Sequence, residues 1–441
     1  MLLIRNARIV TMNDRWEVVD GDVAIVDGRI AAIGPGADGG DAVDAVIDAR
    51  GGLLLPGFIQ THVHLCQTIF RGLADDLRLL DWLHQRIFPL EAAHTPASLR
   101  ASTHLAVAEL LRTGTTAILT METVHDTEVV LEALAETGMR ATVGKCLMDN
   151  DAGAPARLHQ AVQPGIEEAL ALHRRWHGAA LGRIRVALAP RFALSCSRDM
   201  LEAVADTADA SELLVHTHAA EQREELDLVR QMSNGQGNIE YFIGVGLGCA
   251  RLCLAHCVWV DDTEQALLAQ HDIKVLHCPG SNLKLGSGIA PVPDMRARGI
   301  TVSLGADGAA CNNRLDMFDE MRLAAALQAM RVEPGQLAAR EVVWMATRAG
   351  ARTLGLEAEI GSIEPGKRAD LIVVDTHRAH LVPGDDPYST LVYACRGSDV
   401  RTVLIDGEIL VNDGELSKME ERLVVDDARR EARALVARAG I

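Results

Sequence analysis

Leu53-Leu-Leu-Pro-Gly-Phe-Ile-Gln-Thr-His-Val-His64 is an apolar run that ends in two histidines separated by one residue. A run of this length and composition is typical of a buried β-strand. Because side chains alternate along a strand, His62 and His64 are predicted to point to the same side. Two imidazoles on one side suit a metal ion, although a single His-x-His motif is a weak signal by itself.

Seven further strand-like runs follow, each separated from the next by sequence long enough for a helix. The first such helix is predicted to begin with Thr95 as its N-cap and Pro96 in its first turn, and to end at Gly114. Eight β/α units predict an α/β fold with a (β/α)8 TIM barrel. A doubly wound dinucleotide fold would require a Gly-rich turn after an early strand, and the sequence has none. The eight predicted strands are 53–64, 115–120, 141–147, 184–190, 213–218, 252–256, 273–277 and 301–304.

The two ends of the chain share another pattern, in which short apolar runs alternate with turn-forming Asn-Asp, Asp-Gly and Gly-Pro-Gly sequences. This pattern predicts short strands joined by tight turns. We therefore expect the ends to build one small composite β-sandwich beside the barrel. The predicted boundaries are 1–54 for its N-terminal part, 55–365 for the barrel, and 366–441 for its C-terminal part with a terminal helix.

Composition excludes several classes of partner. The formal net charge of −18 over 441 residues argues against a nucleic-acid backbone or an anionic membrane surface, which both favour clustered Lys and Arg. No apolar run is long enough to span a bilayer, and the start Met1-Leu-Leu-Ile-Arg5 becomes polar too soon for a signal peptide. The nine cysteines include no C-x-x-C pair, so neither disulfides nor a zinc ribbon are expected. We expect a cytoplasmic homo-oligomer that acts on a small heterocyclic molecule.

Polar residues are concentrated where the later strands end. In a parallel barrel the catalytic residues lie at the carboxyl ends of the strands. Histidines and carboxylates clustered at one rim of a barrel are typical metal ligands or catalytic groups. The segments at these ends are His216-Thr-His218-Ala-Ala-Glu221, Ala255-His256-Cys257, His277-Cys-Pro279 and Gly305-Ala-Asp307-Gly308.

Six longer motifs are spread over residues 56–371. They are Pro56-Gly-Phe-Ile-Gln-Thr-His-Val-His64, His218-x-x-Glu221, His256, Leu276-His-Cys-Pro-x-Ser-Asn282, Leu304-Gly-Ala-Asp307 and Gly361-Ser-Ile-Glu-Pro-Gly-Lys-Arg-Ala-Asp-Leu371. In these motifs the chain resembles the amidohydrolase superfamily over nearly its whole length. Within the superfamily it is similar to the aminohydrolase branch, which contains adenosine-type nucleoside deaminases, guanine deaminases and s-triazine hydrolases.

The resemblance implies a role for each motif residue. The metal ligands would be His62, His64, His218 and Asp307. Glu221 and His256, together with Asp307, would transfer protons during hydrolytic removal of an exocyclic amino group as ammonia. His277 matches a recurrent histidine with a supporting role behind the site.

The resemblance also implies one divalent metal per chain, Zn(II) by preference with Fe(II) as an alternative. Relatives with two metals bridge them through a modified lysine on the fourth strand. That strand, Ile184-Arg-Val-Ala-Leu-Ala-Pro-Arg191, contains no lysine. The His-x-Glu and Pro-Cys-x-x-Cys signature of cytidine-type zinc deaminases is also absent.

The loop after the first strand resembles that of deaminases acting on S-adenosylhomocysteine, methylthioadenosine and 5′-deoxyadenosine. By this resemblance Glu91 would bind the ribose hydroxyls, and Trp82 would line the pocket. No arginine after Met148-Asp-Asn-Asp151 matches the one that binds the amino-acid carboxylate of S-adenosylhomocysteine. A substrate with a short 5′ group is therefore favoured.

Other residues keep alternative substrates open. Arg191 and Phe192 match the pair that holds the base in guanine deaminases, and Gln67 matches a purine-binding amide in those enzymes. One alternative substrate is therefore guanine, another purine base or a pterin base. Cys311 falls where triazine aminohydrolases carry Cys and chlorohydrolases carry Ser, so an s-triazine amino- or chlorohydrolase is another. A non-catalytic scaffold is the alternative from a different class, although such relatives usually lack ligands that this chain retains.

Overall fold

The computed structural model describes residues 1–40 and 42–441 of the chain. Within these ranges the strands form two sheets, one from the middle of the chain and one from its two ends. Among the helices in these ranges, none combines the length and the hydropathy that a bilayer-spanning segment requires.

The N-terminal region forms an antiparallel meander, as its turn pattern predicts. β1 pairs with β2 and β2 with β3 in antiparallel register, while β4 and β5 lie parallel to β1. Asp27 and Gly28 join β2 to β3 with φ values of 49° and 75°, and this left-handed two-residue turn matches the twist of the strands it connects. The strands are β1 (Leu2–Val10), β2 (Val18–Val26), β3 (Arg29–Gly34), β4 (Ala45–Asp48) and β5 (Leu53–Pro56).

The middle of the chain forms a parallel sheet in which the first eight strands pair in sequence order and a short ninth strand pairs with the first. The apolar run quoted first is divided at Gly57, so that β5 lies in the end sheet and the following strand begins the barrel. A Cβ atom at Gly57 would lie 2.1 Å from Thr116 Cγ2, so this crossing requires glycine. The barrel strands are β6 (Phe58–His64), β7 (Thr115–Met121), β8 (Arg140–Leu147), β9 (Ile184–Pro190), β10 (Val215–Ala219), β11 (Leu252–His256), β12 (Lys274–His277), β13 (Val302–Leu304) and β14 (Asp307–Gly308).

The last barrel strand closes the sheet in two segments. β13 pairs with β12, and β14 pairs with β6 through Asp307 opposite Val63. Between the segments, Thr61 Oγ1 donates a hydrogen bond of 3.0 Å to the Leu304 carbonyl. Gly305 permits this approach, because a Cβ atom there would lie 2.6 Å from the backbone nitrogen and oxygen of His62. The predicted (β/α)8 barrel is therefore confirmed.

The C-terminal strands complete the sheet that the N-terminal strands begin. β15 pairs antiparallel with β5, which joins both chain ends in one nine-stranded sheet. Residues from both ends, including Ile4 and Leu371, share one buried core, while Leu55 and Ile372 belong to the barrel core. The composite β-domain is confirmed, although β5 spans the predicted boundary between residues 54 and 55. The strands are β15 (Leu371–Val374), β16 (Val400–Ile405), β17 (Glu408–Asn412) and β18 (Glu415–Leu416).

Helices connect the barrel strands and cover them. Thr95 caps the longest of the connecting helices by accepting a hydrogen bond from the Ser98 backbone N–H, as predicted. The α-helices are α1 (Leu79–Trp82), α2 (Phe88–Ala92), α3 (Pro96–Arg112), α4 (Thr127–Thr137), α5 (Val162–Trp176), α6 (Ala179–Gly182), α7 (Arg198–Ser211), α8 (Arg223–Met232), α9 (Asn238–Phe242), α10 (Asp262–Gln270), α11 (Pro279–Lys284), α12 (Val292–Ala297), α13 (Met317–Arg331), α14 (Ala339–Ala346), α15 (Arg348–Thr353), α16 (Pro387–Ser389) and α17 (Glu421–Ala439). Short 3₁₀ or π segments are Leu65–Phe70, Leu83–Ile87, Ala156–Leu158, Ile243–Leu247, Ala379–Leu381, Thr390–Ala394 and Gly397–Asp399.

A buried ionic network joins the start of the barrel strands to the end sheet. Arg140, at the beginning of β8, donates two hydrogen bonds of 2.6 and 3.0 Å to Asp370 and one of 2.7 Å to Asp406. Arg183 donates to the other oxygen of Asp406 at 2.8 Å. The Arg140 and Asp370 side chains are only 4% and 2% exposed. The two sheets are thus held together by charges that have little contact with water.

Candidate metal centre and active site

Four predicted ligand residues converge at the carboxyl ends of barrel strands. The Asp307 Oδ1 atom lies 3.3 Å from His62 Nε2 and 3.2 Å from His64 Nε2. His218 Nε2 lies 3.4 Å from His64 Nε2. In a tetrahedral zinc site with bonds of about 2.0–2.1 Å, neighbouring ligand atoms are about 3.4 Å apart. The spacing of these four side chains therefore fits one cation.

The other nitrogen of each imidazole is engaged by a fixed partner. His64 Nδ1 donates to the Met121 carbonyl at 2.8 Å, and His218 Nδ1 donates to the Arg191 carbonyl at 2.6 Å. His62 Nδ1 lies 2.7 Å from the Nε2 atom of His216. Partners at Nδ1 leave the Nε2 lone pairs directed toward the shared centre, which is the usual arrangement behind metal-binding histidines.

Burial keeps two of the ligand imidazoles, those of His62 and His218, neutral. It lowers the pKa of His62 to about 4 and the pKa of His218 well below its usual value. The buried His62 Nε2 atom makes no hydrogen bond within the residues that the structure describes. A buried, neutral nitrogen without a partner is costly unless a ligand satisfies it. The three imidazoles and one carboxylate form a donor set that suits Zn(II) and also permits Fe(II).

Glu221 and His256 lie on one side of the cluster. His256 Nε2 is 3.5 Å from Glu221 Oε2 and 3.9 Å from Asp307 Oδ2. His256 Nδ1 donates to the Asn282 side-chain oxygen at 2.8 Å, so His256 Nε2 is free to accept a proton. Burial raises the pKa of Glu221 to about 7, and Ser287 donates to its other oxygen at 3.0 Å. Glu221 can therefore accept and donate a proton near neutral pH.

The backbone is strained at two of these residues. His256 has a φ of 74° and Asp307 a φ of 63°, both in the left-handed region. Such conformations cost of order 1–3 kcal/mol each in non-glycine residues and are concentrated at functional sites. Both residues contribute a side chain to the cluster, so the strained backbone lies at the candidate site itself.

A cavity of about 440 Å³, including its mouth, lies next to the cluster. Its wall includes four of the predicted substrate residues, namely Gln67, Trp82, Arg191 and Phe192. The ligand and catalytic residues His64, His218, Glu221, His256 and Asp307 also line it. One cavity therefore brings candidate substrate contacts to the candidate metal centre.

Besides the buried ligand His62, three predicted site residues lie outside this wall. Glu91 is buried behind Arg191 and Gln67, with hydrogen bonds to both. Cys311 is buried and its thiol donates to the Gly308 carbonyl at 3.1 Å, while all nine cysteines of the chain are free. His277 has no hydrogen-bond partner for either ring nitrogen in the described parts of the chain, and burial lowers its pKa to about 3. Their predicted roles stay predictions.

Several supporting residues were not predicted. His216 occurs in a motif quoted from the sequence, and its spacing of two from His218 could have placed it on the same side of β10. Asn282 occurs in another quoted motif. Glu225 accepts a hydrogen bond of 2.7 Å from the Glu221 backbone N–H, and neither it nor Ser287 carries a local sequence signal.

Comparison with known proteins agrees with this geometry. The family model described as Amidohydrolase family matches residues 53–410. A 5′-deoxyadenosine deaminase from Methanothermobacter thermautotrophicus is 42% identical over 416 residues, which cover 94% of this chain and 95% of that protein. A 5-methylthioadenosine/S-adenosylhomocysteine deaminase from Moorella thermoacetica is 38% identical, with 95% and 96% of the two chains covered. The crystal structure of an adenosine deaminase from Xanthomonas campestris with bound zinc superimposes with a TM-score of 0.92 at 33% identity, covering 99% of this chain and 98% of that one.

Proposed function

The chain belongs to the amidohydrolase family, and from that premise we propose that it is a metal-dependent hydrolytic deaminase of an adenosine-type nucleoside. One observation carries the proposal. The four candidate ligands and the Glu221–His256 pair line or adjoin a single cavity, with His256 Nε2 3.5 Å from the carboxylate of Glu221. A nucleophile and a proton donor can therefore act on one bound ring.

His62, His64, His218 and Asp307 would hold one divalent cation, for which Zn(II) is preferred. When bound, the cation supplies Lewis acidity that makes a water molecule nucleophilic at neutral pH. The Nδ1 partners of the three imidazoles orient these ligands before the cation binds.

The side chains around the cluster perform the proton transfers. His256 Nε2 accepts the proton of the attacking water, since Asn282 holds its Nδ1–H. Glu221, whose pKa burial raises to about 7, donates a proton to the ring nitrogen next to the attacked carbon. Addition of water at that carbon gives a tetrahedral species. The amino group of this species takes the proton that His256 holds, the C–N bond breaks and ammonia leaves. The new hydroxyl returns its proton to Glu221, so the ring keeps a carbonyl oxygen and both side chains regain their starting states.

The remaining cavity wall supports a purine nucleoside as substrate. Leu79, Leu83 and Leu285 provide apolar surface for a flat ring. Trp82 contributes its aromatic ring to the same wall. Relatives similar over nearly the whole chain are named 5′-deoxyadenosine and methylthioadenosine/S-adenosylhomocysteine deaminases. We favour 5′-deoxyadenosine or methylthioadenosine over S-adenosylhomocysteine. No arginine after Met148-Asp-Asn-Asp151 matches the one that binds the amino-acid carboxylate of S-adenosylhomocysteine.

The test is an ammonia-release assay on the metal-loaded protein with six compounds: adenosine, 5′-deoxyadenosine, methylthioadenosine, S-adenosylhomocysteine, guanine and melamine. We expect the highest kcat/KM for a nucleoside with a short 5′ group, and loss of activity after chelation that returns when Zn(II) is added. Ammonia release from none of the six would refute the proposal and favour a non-catalytic scaffold. Full activity after exhaustive chelation would refute the metal dependence.

A free purine base with a carbonyl group is the second candidate. Arg191, Phe192 and Gln67 lie in the cavity wall, and guanidinium and amide groups can bind a carbonyl oxygen as well as a ring nitrogen. A preference for guanine over every nucleoside in the same assay would select this candidate.

A further inference from the structure

We propose that Gln222 and Ser287 are positioning residues that fix which carboxyl oxygen of Glu221 carries the proton. Their hydrogen bonds keep Oε1 of Glu221 as an acceptor, so the proton resides on Oε2, the oxygen next to His256. This inference rests on the proposed function, in which Glu221 protonates a ring nitrogen of the substrate.

The hydrogen-bond chain begins at the side chain of Gln222. This residue is the N-cap of α8, a position that favours short polar side chains able to accept from the helix backbone. The Gln222 side chain makes no cap bond, and its Nε2 donates instead to the Leu285 carbonyl at 3.1 Å and to Ser287 Oγ at 3.3 Å. A carbonyl oxygen can only accept, so the amide nitrogen must face Leu285, and both of its hydrogens are used.

The hydroxyl group of Ser287 therefore has one direction. Its oxygen accepts from Gln222 and lies 3.0 Å from Glu221 Oε1. Over residues 1–40 and 42–441, the Ser287 hydroxyl has no third hydrogen-bond partner. Its hydrogen is thus donated to Glu221 Oε1.

This direction decides where the acidic proton of Glu221 resides. A proton on Oε1 would point at Ser287, which is 2% exposed, and the buried hydroxyl hydrogen would lose its acceptor. An unsatisfied buried donor disfavours that arrangement by roughly 5- to 150-fold. A proton on Oε2 avoids the conflict, and Oε2 lies 3.5 Å from His256 Nε2.

The arrangement suits both states of the acid. Proton donation breaks the Oε2–H bond of Glu221 and forms an N–H bond at the ring nitrogen, which leaves a carboxylate. Oε1 of this carboxylate still accepts from Ser287. The carboxyl group therefore has no need to rotate between its two protonation states, and preorganisation of this kind lowers the barrier to proton transfer.

The backbone around Ser287 is fixed as well. Its N–H donates to the Asn282 carbonyl at 2.8 Å, and its carbonyl accepts from Trp259 Nε1 at 2.7 Å. Gly288 follows with a φ of 129°, and a Cβ atom there would lie 2.9 Å from the Trp259 ring. The side chain of Asn282 holds His256 Nδ1. One segment after β12 thus positions both proton-transfer groups.

A different role for Gln222 can be separated from this one. Gln222 also holds the Leu285 carbonyl, and Leu285 lines the cavity, whereas Gln222 and Ser287 do not. Damage to the cavity wall would raise KM. Loss of a positioned acid would lower kcat and leave KM unchanged.

The experiment measures kcat and KM for the metal-loaded wild type, Gln222→Met, Ser287→Ala and the double variant, with 5′-deoxyadenosine and methylthioadenosine. We expect Ser287→Ala to lose roughly 10- to 100-fold in kcat, with KM within about twofold of the wild type. Gln222→Met should lose less, because the hydroxyl remains. The double variant should be within about threefold of Ser287→Ala, as expected if Gln222 acts through Ser287.

Matched controls separate positioning from general damage. Gln265→Met removes a buried amide that donates to the Val260 carbonyl at 3.3 Å, and Ser233→Ala removes a buried hydroxyl that donates to the Gln236 carbonyl at 3.1 Å. Gln265 and Ser233 lie outside the cavity wall, so both controls should keep the kcat of the wild type. Metal content and thermal midpoint are measured for every variant. Because Gln222 is only half-buried, Gln222→Met tests the inference even if Ser287→Ala does not fold.

Three results would overturn the inference while leaving the proposed function intact. The first is a folded, metal-loaded Ser287→Ala or Gln222→Met with the kcat of the wild type. The second is a double variant whose loss of kcat equals the product of the two single losses. The third is a Gln222→Met variant with raised KM and unchanged kcat, which would assign Gln222 to the cavity wall. Absence of ammonia release by the wild type from every nucleoside would instead overturn the proposed function, and with it the role of Glu221 as the acid.

Discussion

Replacing His216 with leucine should weaken metal binding without removing any ligand. His216 Nε2 lies 2.7 Å from His62 Nδ1, and both side chains are fully buried. For His62 Nε2 to bind a cation, the proton of the ring must reside on Nδ1, where His216 accepts it. Leucine cannot accept, so the Nδ1–H would be left buried without a partner.

The size of the effect follows from this single contact. Removing an outer partner of a metal-binding histidine typically costs 10–100-fold in metal affinity, which is equivalent to about 1.4–2.7 kcal/mol. The cost of an unsatisfied buried donor, about 1–3 kcal/mol, is of the same size. We therefore expect the metal Kd of His216→Leu to rise by roughly 10- to 100-fold, and His216→Gln, which retains an acceptor, to recover part of the loss.

Chelator competition measures this Kd directly and does not depend on turnover. His277→Leu is the matched control, because His277 is also almost fully buried but makes no hydrogen bond to any described residue. It should change the metal Kd by less than about twofold. A folded His216→Leu protein with the Kd of the wild type would show that His62 does not need this partner.

Three other perturbations test separate parts of the molecule. Glu221→Gln should keep its metal but lose about 10²–10⁴-fold in kcat, because the amide cannot donate the required proton; normal turnover in a kinetic assay would exclude the assigned role. Burial raises the pKa of Glu320 to about 8 from an ordinary value of 4.5. As pH rises, the unfolded chain therefore loses this proton before the folded protein does. The free energy of unfolding should fall as pH rises from about 5 to 8. Urea denaturation at several pH values in that range should show that the free energy of unfolding falls less steeply with pH for Glu320→Gln than for the wild type. The same dependence on pH in both proteins would contradict the raised pKa of Glu320. Arg140→Met should lower the free energy of unfolding by about 3–5 kcal/mol, because it leaves the buried charge of Asp370 without this partner. The Arg140→Met/Asp370→Leu double variant should recover most of the loss, because an apolar pair costs less than a lone buried charge. Arg198→Ala serves as the control, because Arg198 is an exposed arginine that is also paired with a carboxylate. It should change the free energy of unfolding by less than about 0.5 kcal/mol.

Local patterns in the chain were sufficient to predict its architecture. Alternation along β6 placed His62 and His64 on one side, and the polar residues at later strand ends placed Glu221, His256 and Asp307 at the same rim. The cap at Thr95 and the turn at Asp27 and Gly28 are also local, since each depends on residues adjacent in sequence. Parallel strands place their carboxyl ends together, so a barrel prediction already implied a shared site.

Long-range packing decided the rest. His62 and His216 are 154 residues apart, and Glu91 and Arg191 are 100 residues apart, so neither pairing has a signature in its local sequence. The same is true of Gly305, whose lack of a side chain matters only because the backbone of His62 passes against it. Hydrogen-bond partners and close contacts depend on which surfaces meet after the barrel closes, and residue spacing along one strand or helix carries no information about that.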